Sequence, residues 1–418
     1  MQKIIIKGKR KLSGSIIISG SKNASLPILA ATILNNQTTT LKNIPLVEDV
    51  YTMINLLKFI GLNVEIIKKK KTVIINNNKN LNTVAPYKLL KTMRAGVLVL
   101  GPLLAKYKKA KVSLPGGCAI GTRPVDLHLF ALEKLGAKIK IKNGYIYAVA
   151  PNGLTGNKIK FPSISVGATE NAILAAVGAK GETILSNCAI EPEITDMISF
   201  LKKIGFNINF FGKRKIKIIG SSKSKNISHE IIFDRIELGT YLIASALAGS
   251  KITLQKIKTK IANTEIGILK KMGVKMSVDK EKITVFESKK IKKINIKTEP
   301  YPGFPTDLQA QIMVLMTKAK GVSTIKENIF ENRFMHVPEL KRMGAKILTK
   351  KNIATISGPS DLSGAEVMAT DLRASVSLIL AALIAEKKTT INRVYHLDRG
   401  YEDLEKKLRK CNASIKRV

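Results

Sequence analysis

Two spacings of apolar residues alternate along the chain. Stretches with aliphatic residues three and four apart lead into short stretches where polar and apolar residues alternate, as in Ala137-Lys-Ile-Lys-Ile141 and Phe206-Asn-Ile-Asn-Phe210. The first spacing predicts a helix with one buried face, the second a half-buried strand. A fixed junction joins them: Leu, two variable residues, a hydrophobe, then Gly. It occurs six times, ending at Gly61, Gly136, Gly205, Gly273, Gly344 and Asn412. The junction leucines are spaced by 75, 69, 68, 71 and 68 residues. Gly and Asn are the residues that tolerate the left-handed conformation ending a helix. Each unit therefore reads helix, cap, strand.

A second helix recurs with the first. Its six copies open at Ser21, Thr92, Ser165, Asp234, Thr306 and Thr370, on a polar or glycine-bearing turn. Small and aliphatic residues then run nearly all round the helix, so these helices should be buried. Thr-rich strand starts such as Gln37-Thr-Thr-Thr-Leu41 and Lys388-Thr-Thr-Ile391 follow some of them. Six units of about 70 residues exceed the period of a small solenoid. They divide as three plus three, which predicts an α/β chain of two similar domains.

Charge changes the picture less than its size suggests. Lys+Arg is 71 against Asp+Glu 30, a net +41, which raises nucleic acid as a partner. Aromatic residues are only 5%, few for stacking bases, and the lysines are spread over the whole length. Only 12 of the 71 basic residues are Arg, and Lys, Ile and Asn are abundant together, as an A/T-rich genome would produce. Drift in composition is the better account. Cys118, Cys188 and Cys411 are too few for a disulfide framework and suggest reduced thiols in a cytosolic setting. No apolar run reaches 18 residues; the longest candidate, Ala374 to Ala385, carries two serines. The opening MQKIIIKGKRKLSGS has too short an apolar stretch for a secretory signal.

Candidate chemistry collects at the buried-helix openings. A helix N-terminus offers unpaired N–H groups to an anion, and four openings carry a cation: Lys22, Arg94, Arg235 and Arg373. Polar residues there also serve simply as caps. In a lysine chain the arginines stand out, because the guanidinium fork matches carboxylate and phosphate. Arg94, Arg123, Arg235, Arg333, Arg373 and Arg399 lie in motif-rich turns, and predict an anionic small substrate; Arg10, Arg214 and Arg417 lie in surface-like lysine stretches. Leu114-Pro-Gly-Gly-Cys-Ala-Ile-Gly-Thr-Arg-Pro124 reads as a loop, with Lys111 and Arg123 placed to acidify Cys118. Asp307 could cap its helix or act as a general base. The four histidines have no ligand spacing, so no metal site is expected, and no nucleotide-phosphate loop occurs.

Eight segments carry a resemblance. They are Gly20-Ser-Lys-Asn-Ala24, Pro115-Gly-Gly-Cys-Ala-Ile-Gly121, Arg123-Pro-Val-Asp-Leu127 and Ser165-Val-Gly-Ala-Thr169. The others are Phe304-Pro-Thr-Asp307, Glu331-Asn-Arg-Phe-Met-His-Val-Pro-Glu339, Ala369-Thr-Asp-Leu-Arg-Ala-Ser375 and His396-Leu-Asp-Arg-Gly-Tyr401. From about residue 2 to the C-terminus the chain resembles the UDP-N-acetylglucosamine enolpyruvyl transferases of the EPSP synthase-like superfamily. The resemblance implies an inside-out α/β barrel in each of two domains, each of three βαβαββ-type units around buried helices. One domain would span 22–231, the other 1–21 plus 232–418, with the active site in the cleft between them.

The implied reaction moves the enolpyruvyl group of phosphoenolpyruvate to the 3′-hydroxyl of UDP-N-acetylglucosamine and releases phosphate. It is an addition–elimination in the cytoplasm that commits material to peptidoglycan. The resemblance assigns Cys118 as proton donor and covalent adduct site, sensitive to fosfomycin, and Asp307 as base toward the hydroxyl. It assigns phosphoenolpyruvate to Lys22, Asn23, Arg123, Arg333, Arg373 and Arg399. The UDP-sugar would take Arg94, Arg123, Pro124, Val125, Asp126 and Leu127, then Ser163, Ile164, Ser165, Val166 and Gly167, with Asp307 and Ile329. No cofactor, metal, nucleic acid or membrane span is required. Some relatives carry Lys where this chain has Ser163, which weakens one phosphate contact. The rival readings are the related enzyme acting on shikimate 3-phosphate and a basic nucleic-acid-binding protein on an inactive scaffold.

Overall fold

The computed structural model describes residues 2–77, 80–116 and 125–418. Its described strands form six four-stranded sheets, all connected alike. In the first, Thr39–Lys42 leads into helix Glu48–Ile60, then Asn63–Ile67 and the returning strand Thr72–Asn76. The return strand pairs antiparallel with both others, and Ile227–Glu230 adds a parallel edge. Every other sheet repeats this pattern of one parallel and two antiparallel pairings. The last is completed from the start of the chain, where Ile4–Lys7 pairs with Lys388–Asn392 and Ser414–Arg417.

The junction residues do what their type dictates. Gly61 and Gly205 have φ 115°, Gly136 94°, Gly344 96°, Gly273 86° and Asn412 72°. All six are left-handed, so each helix ends and its chain turns into a strand. The small-residue helices are the core. Ala24 to Ala31, Ala168 to Ala176, Arg235 to Leu247, Gln309 to Met316 and Arg373 to Leu383 are buried. Each fully buried aliphatic side chain contributes roughly 1.5–3 kcal/mol.

Two of the six openings differ from a simple capped helix. Ser21, Ser165, Asp234 and Asp371 accept backbone N–H bonds as caps. Arg94–Val99 and Thr306–Leu308 instead begin as 3-10 turns with no side-chain cap. With no oxygen to take the first N–H groups, the chain tightens its own hydrogen bonds.

The fold divides into two compact units. One joins the first nineteen residues to Phe233–Val418; the other is built from described residues between Gly20 and Ile232. At the ends of the first, Asp234 N–H donates to Ser19 C=O at 2.8 Å; at the ends of the second, Ser21 N–H donates to Ile232 C=O at 2.7 Å. A Cβ on Gly20 would lie 1.7 Å from the Asn43 carbonyl oxygen, so no other residue fits there. No helix among the described residues is long and apolar enough to cross a membrane.

Candidate active site

In the unit containing the C-terminus, the 3-10 turn at Thr306–Leu308 carries Asp307 and has no side-chain cap. Its Oδ1 accepts from an Arg333 Nη at 2.7 Å and its Oδ2 from an Arg373 Nη at 2.6 Å. Both arginines are buried, whereas the Asp307 side chain is 27% exposed. The carboxylate thus presents itself outward from a cationic floor. Burial works against the Arg373 charge, but Asp307, then Tyr401, outweigh it and raise its pKa. Asp371 holds the Arg373 end of the next helix, accepting from Arg373 N–H at 2.7 Å and Ala374 N–H at 3.1 Å.

The surroundings fix this pair further. Thr306 Oγ1 donates to Glu327 Oε2 at 2.9 Å, and Glu327 Oε1 accepts from Ile329 N–H at 2.8 Å. That bond sets the position of Ile329, a residue that remains 36% exposed. His336 is buried beside Arg333 and Asp371; burial, offset by Asp371 and reinforced by Arg333, lowers its pKa to about 4. Arg399 follows the short helix Tyr395–Asp398 and is half-buried; its charge adds to burial in lowering the His396 pKa.

In the other unit, Lys22 and Asn23 occupy the first turn of helix Lys22–Ala31, capped by Ser21. Lys22 Nζ pairs with Asp49 Oδ2 at 2.8 Å. Arg94 opens its 3-10 turn half-buried, and its charge reaches His128, which burial first and Arg94 second lower to about 3. His128 Nδ1 lies 3.1 Å from Asn171 Nδ2. A Cβ on Gly167 would come within 3.0 Å of His128 Cε1, so the ring underlies the Ser165–Gly167 turn. Ser163 is exposed, Ile164 and Ser165 are half-buried, and Val166 is exposed at the same helix opening. Val125 is buried, with Asp126 and Leu127 following it into helix Asp126–Lys134.

Cys118, Arg123 and Pro124 lie outside the described residues. Lys111, expected beside the thiol, lies over the rings of Tyr145 and Tyr147, 4.8 Å and 5.1 Å from their centroids.

The arginine rule holds only in part. Arg417, read as a surface residue, donates to both Asp398 oxygens at 2.7 and 2.9 Å and to Glu405 at 2.7 Å. Its guanidinium ties the last strand to two helices, a structural use of the same bidentate geometry. Arg235 faces Glu265 at 3.4 Å and lies 5.5 Å from the Tyr301 ring. Sequence reasoning gave no role to Tyr401, Thr240, Gln311, Asp49 or His128. A Thr and a Gln inside helices apolar all round were the available signal. Among the described residues no His, Cys, Asp and Glu cluster could hold a metal ion.

The EPSP synthase (3-phosphoshikimate 1-carboxyvinyltransferase) family model matches residues 6–408. A UDP-N-acetylglucosamine 1-carboxyvinyltransferase of Pelagibacter ubique is 61% identical over 418 residues, the full length of both chains. Proteins of that name from Sulfurovum sp. and Rickettsia akari are each 50% identical, with this chain fully covered and 99% and 100% of theirs. Among solved structures, the enolpyruvyl transferase NikO of Streptomyces tendae superposes with TM-score 0.91 at 23% identity, covering 100% of this chain and 99% of its own. An EPSP synthase of Acinetobacter baumannii gives TM-score 0.77 at 18% identity with the same coverage. These two likenesses speak to the fold, which is that of EPSP synthase.

Proposed function

We infer the function from the EPSP synthase family, to which this chain belongs, and from full-length relatives within it that share one activity. The chain is a UDP-N-acetylglucosamine 1-carboxyvinyltransferase. It transfers the enolpyruvyl group of phosphoenolpyruvate to the 3′-hydroxyl of UDP-N-acetylglucosamine and releases phosphate, for peptidoglycan precursor synthesis. The 61% identity over the whole of both chains carries this reading. It also favours the UDP-sugar over shikimate 3-phosphate, the substrate in the family model's description. We place the enzyme in the cytoplasm, where both substrates would be met.

The chemistry asks for three things. The sugar oxygen bonds to C2 of phosphoenolpyruvate while C3 takes a proton; C3 then loses a proton as phosphate leaves. An acid must serve C3, a base must take the hydroxyl proton, and fixed cations must hold a trianion and a diphosphate. Cys118 is the acid and adduct site, and Asp307 the base. Arginine bonds to both Asp307 oxygens fix the orientation of the carboxylate. Arg333, Arg373 and Arg399, with Lys22, Asn23 and Arg123, bind phosphoenolpyruvate. Arg94, the segments 123–127 and 163–167, and Ile329 bind the UDP-sugar.

Phosphate release tests this reading. It should require both substrates and collapse in Cys118→Ser. Release that survives the substitution would retain the reaction and remove Cys118 from it. A folded chain that releases no phosphate would sink the assignment and return the polyanion-binding alternative, which predicts a steeply salt-dependent affinity for polynucleotide.

A further inference from the structure

At the centre of the Asp307 unit, four elements meet through one hydroxyl. Tyr401 Oη is 2.8 Å from Thr240 Oγ1, 3.2 Å from an Arg373 Nη and 3.3 Å from Gln311 Nε2. Thr240 and Gln311 are fully buried, and Tyr401 is 4% exposed. Thr240 belongs to helix Arg235–Ala248, Gln311 to Gln309–Met316 and Arg373 to Leu372–Ile384. Tyr401 therefore ties together the three buried helices of its unit.

The donors and acceptors can be assigned from chemistry. A phenol has one O–H and two lone pairs, whereas guanidinium and the amide nitrogen only donate. Arg373 donates to Tyr401, and one Gln311 N–H is shared between Tyr401 Oη and Thr240 Oγ1, each 3.3 Å away. Thr240 gives its single O–H to Ile236 C=O at 2.8 Å, so the Tyr401 O–H donates to Thr240. The other Gln311 N–H donates to the Asp307 carbonyl at 2.9 Å. One polar chain thus ends on Asp307 twice: through its backbone by Gln311, and through its carboxylate by Arg373. The Tyr401 ring also lies 5.6 Å from the Arg373 guanidinium.

We propose that Tyr401, oriented by Thr240 and Gln311, is a positioning residue for the reaction: it fixes the Arg373 guanidinium so that one edge serves Asp307 and the remainder serves the anionic substrate. The proposal rests on the transferase reading. A guanidinium with five N–H donors and only a carboxylate to bind would turn onto that carboxylate. Tyr401 removes that option by holding a second edge. Burial raises the Tyr401 pKa, against the opposing charge of Arg373, so the hydroxyl keeps the proton that Thr240 receives.

The test compares Tyr401→Phe, Thr240→Val and Thr240→Ser by steady-state kinetics on the full chain, with thermal unfolding alongside. Tyr401→Phe keeps the ring and the packing. It should lower kcat/KM for phosphoenolpyruvate roughly 10- to 100-fold while KM for UDP-N-acetylglucosamine moves less than about threefold. Thr240→Val should shift the same parameter in the same direction, and Thr240→Ser, which keeps the hydroxyl, should restore it. A native-like Tyr401→Phe overturns the proposal. So does an equal loss for both substrates that tracks a lowered melting temperature, because that marks packing alone. If the native chain itself shows no turnover, the transferase reading fails and the proposal with it. Native turnover with an unaffected Tyr401→Phe removes only the positioning role.

Discussion

The two units share one plan and fill it with different charge. In each, the first and third buried helices are capped by a side chain, and the second opens as an uncapped 3-10 turn. The caps are Ser21 and Ser165 in one unit, Asp234 and Asp371 in the other. A neutral hub of Asn171 and His128 sits in the first. Asn171 Oδ1 accepts from Gly101 N–H at 2.8 Å, and its Nδ2 donates toward Val97 C=O at 3.3 Å and His128 Nδ1 at 3.1 Å. The second centres on Asp307, two arginines, Tyr401, Thr240 and Gln311. A buried arginine needs a carboxylate in reach, and the aspartate caps stand one and two residues before Arg235 and Arg373. The plan of the fold supplies positions; carboxylates from elsewhere in the chain, Glu265 for Arg235 and Asp307 for Arg373, hold the buried cations that stand there.

The largest expected effect falls on the charged centre. Asp307→Asn keeps size and removes the proposed base, and should lower turnover about 10³-fold or more. Ser165→Ala, in the other unit, removes one cap and one side-chain oxygen from the proposed UDP-sugar segment, and should lower it far less, since an N-cap contributes only about 1 kcal/mol. Phosphate-release rates for the two variants, each checked for folding, give the contrast. Comparable losses would show that the charged centre has no special place in the chemistry.

The repeat was legible because its rules are local. A helix must end, Gly or Asn ends it most readily, and all six predicted positions are left-handed. Burial of the small-residue helices was equally plain from their composition. What Asp307 does was not legible, since a cap and a base look alike at a helix opening. Its side-chain partners lie 26 and 66 residues further on, beyond any spacing rule. The same holds for Tyr401, whose partner Thr240 lies 161 residues away. Arg417 misled for the opposite reason: a lysine-rich neighbourhood hid a guanidinium with two carboxylates in reach.

A smaller effect should separate the centres by shape. A Cβ on Gly101 would lie 2.5 Å from both the Asn171 carbonyl oxygen and its Oδ1. Neither can retreat without breaking the hub. A Cβ on Gly239 would meet the Leu308 side chain at 2.3 Å, which can rotate away. Gly101→Ala should therefore destabilise by about 3 kcal/mol and Gly239→Ala by about 1 kcal/mol. Denaturant midpoints measure both, and the reverse order would mean that the neutral hub yields more easily than an aliphatic contact.

The last effect is one of acid. His128 is buried neutral, with its pKa lowered to about 3 by burial and then Arg94. The unfolded chain protonates this group near its ordinary value of about 6.5, so between about 6.5 and 3 the unfolded state binds the extra proton. Stability must fall as pH falls through that window, and the loss begins below about 6.5. From pH 6.5 to 5 it amounts to about 2 kcal/mol, at 1.36 kcal/mol for each unit. His128→Gln lacks the titration and keeps an acceptor for Asn171, so its stability at pH 5 should drop less than the native chain's by that amount. Glu170 in the same unit acts with the opposite sign: burial, then Glu193 and Glu191, raise its pKa. Glu170 is present in both chains, so the difference between them isolates the histidine. Parallel curves from pH 7 to pH 5 would mean that His128 gains its proton without leaving the fold, and the neutral hub would no longer be the counterpart of the charged one.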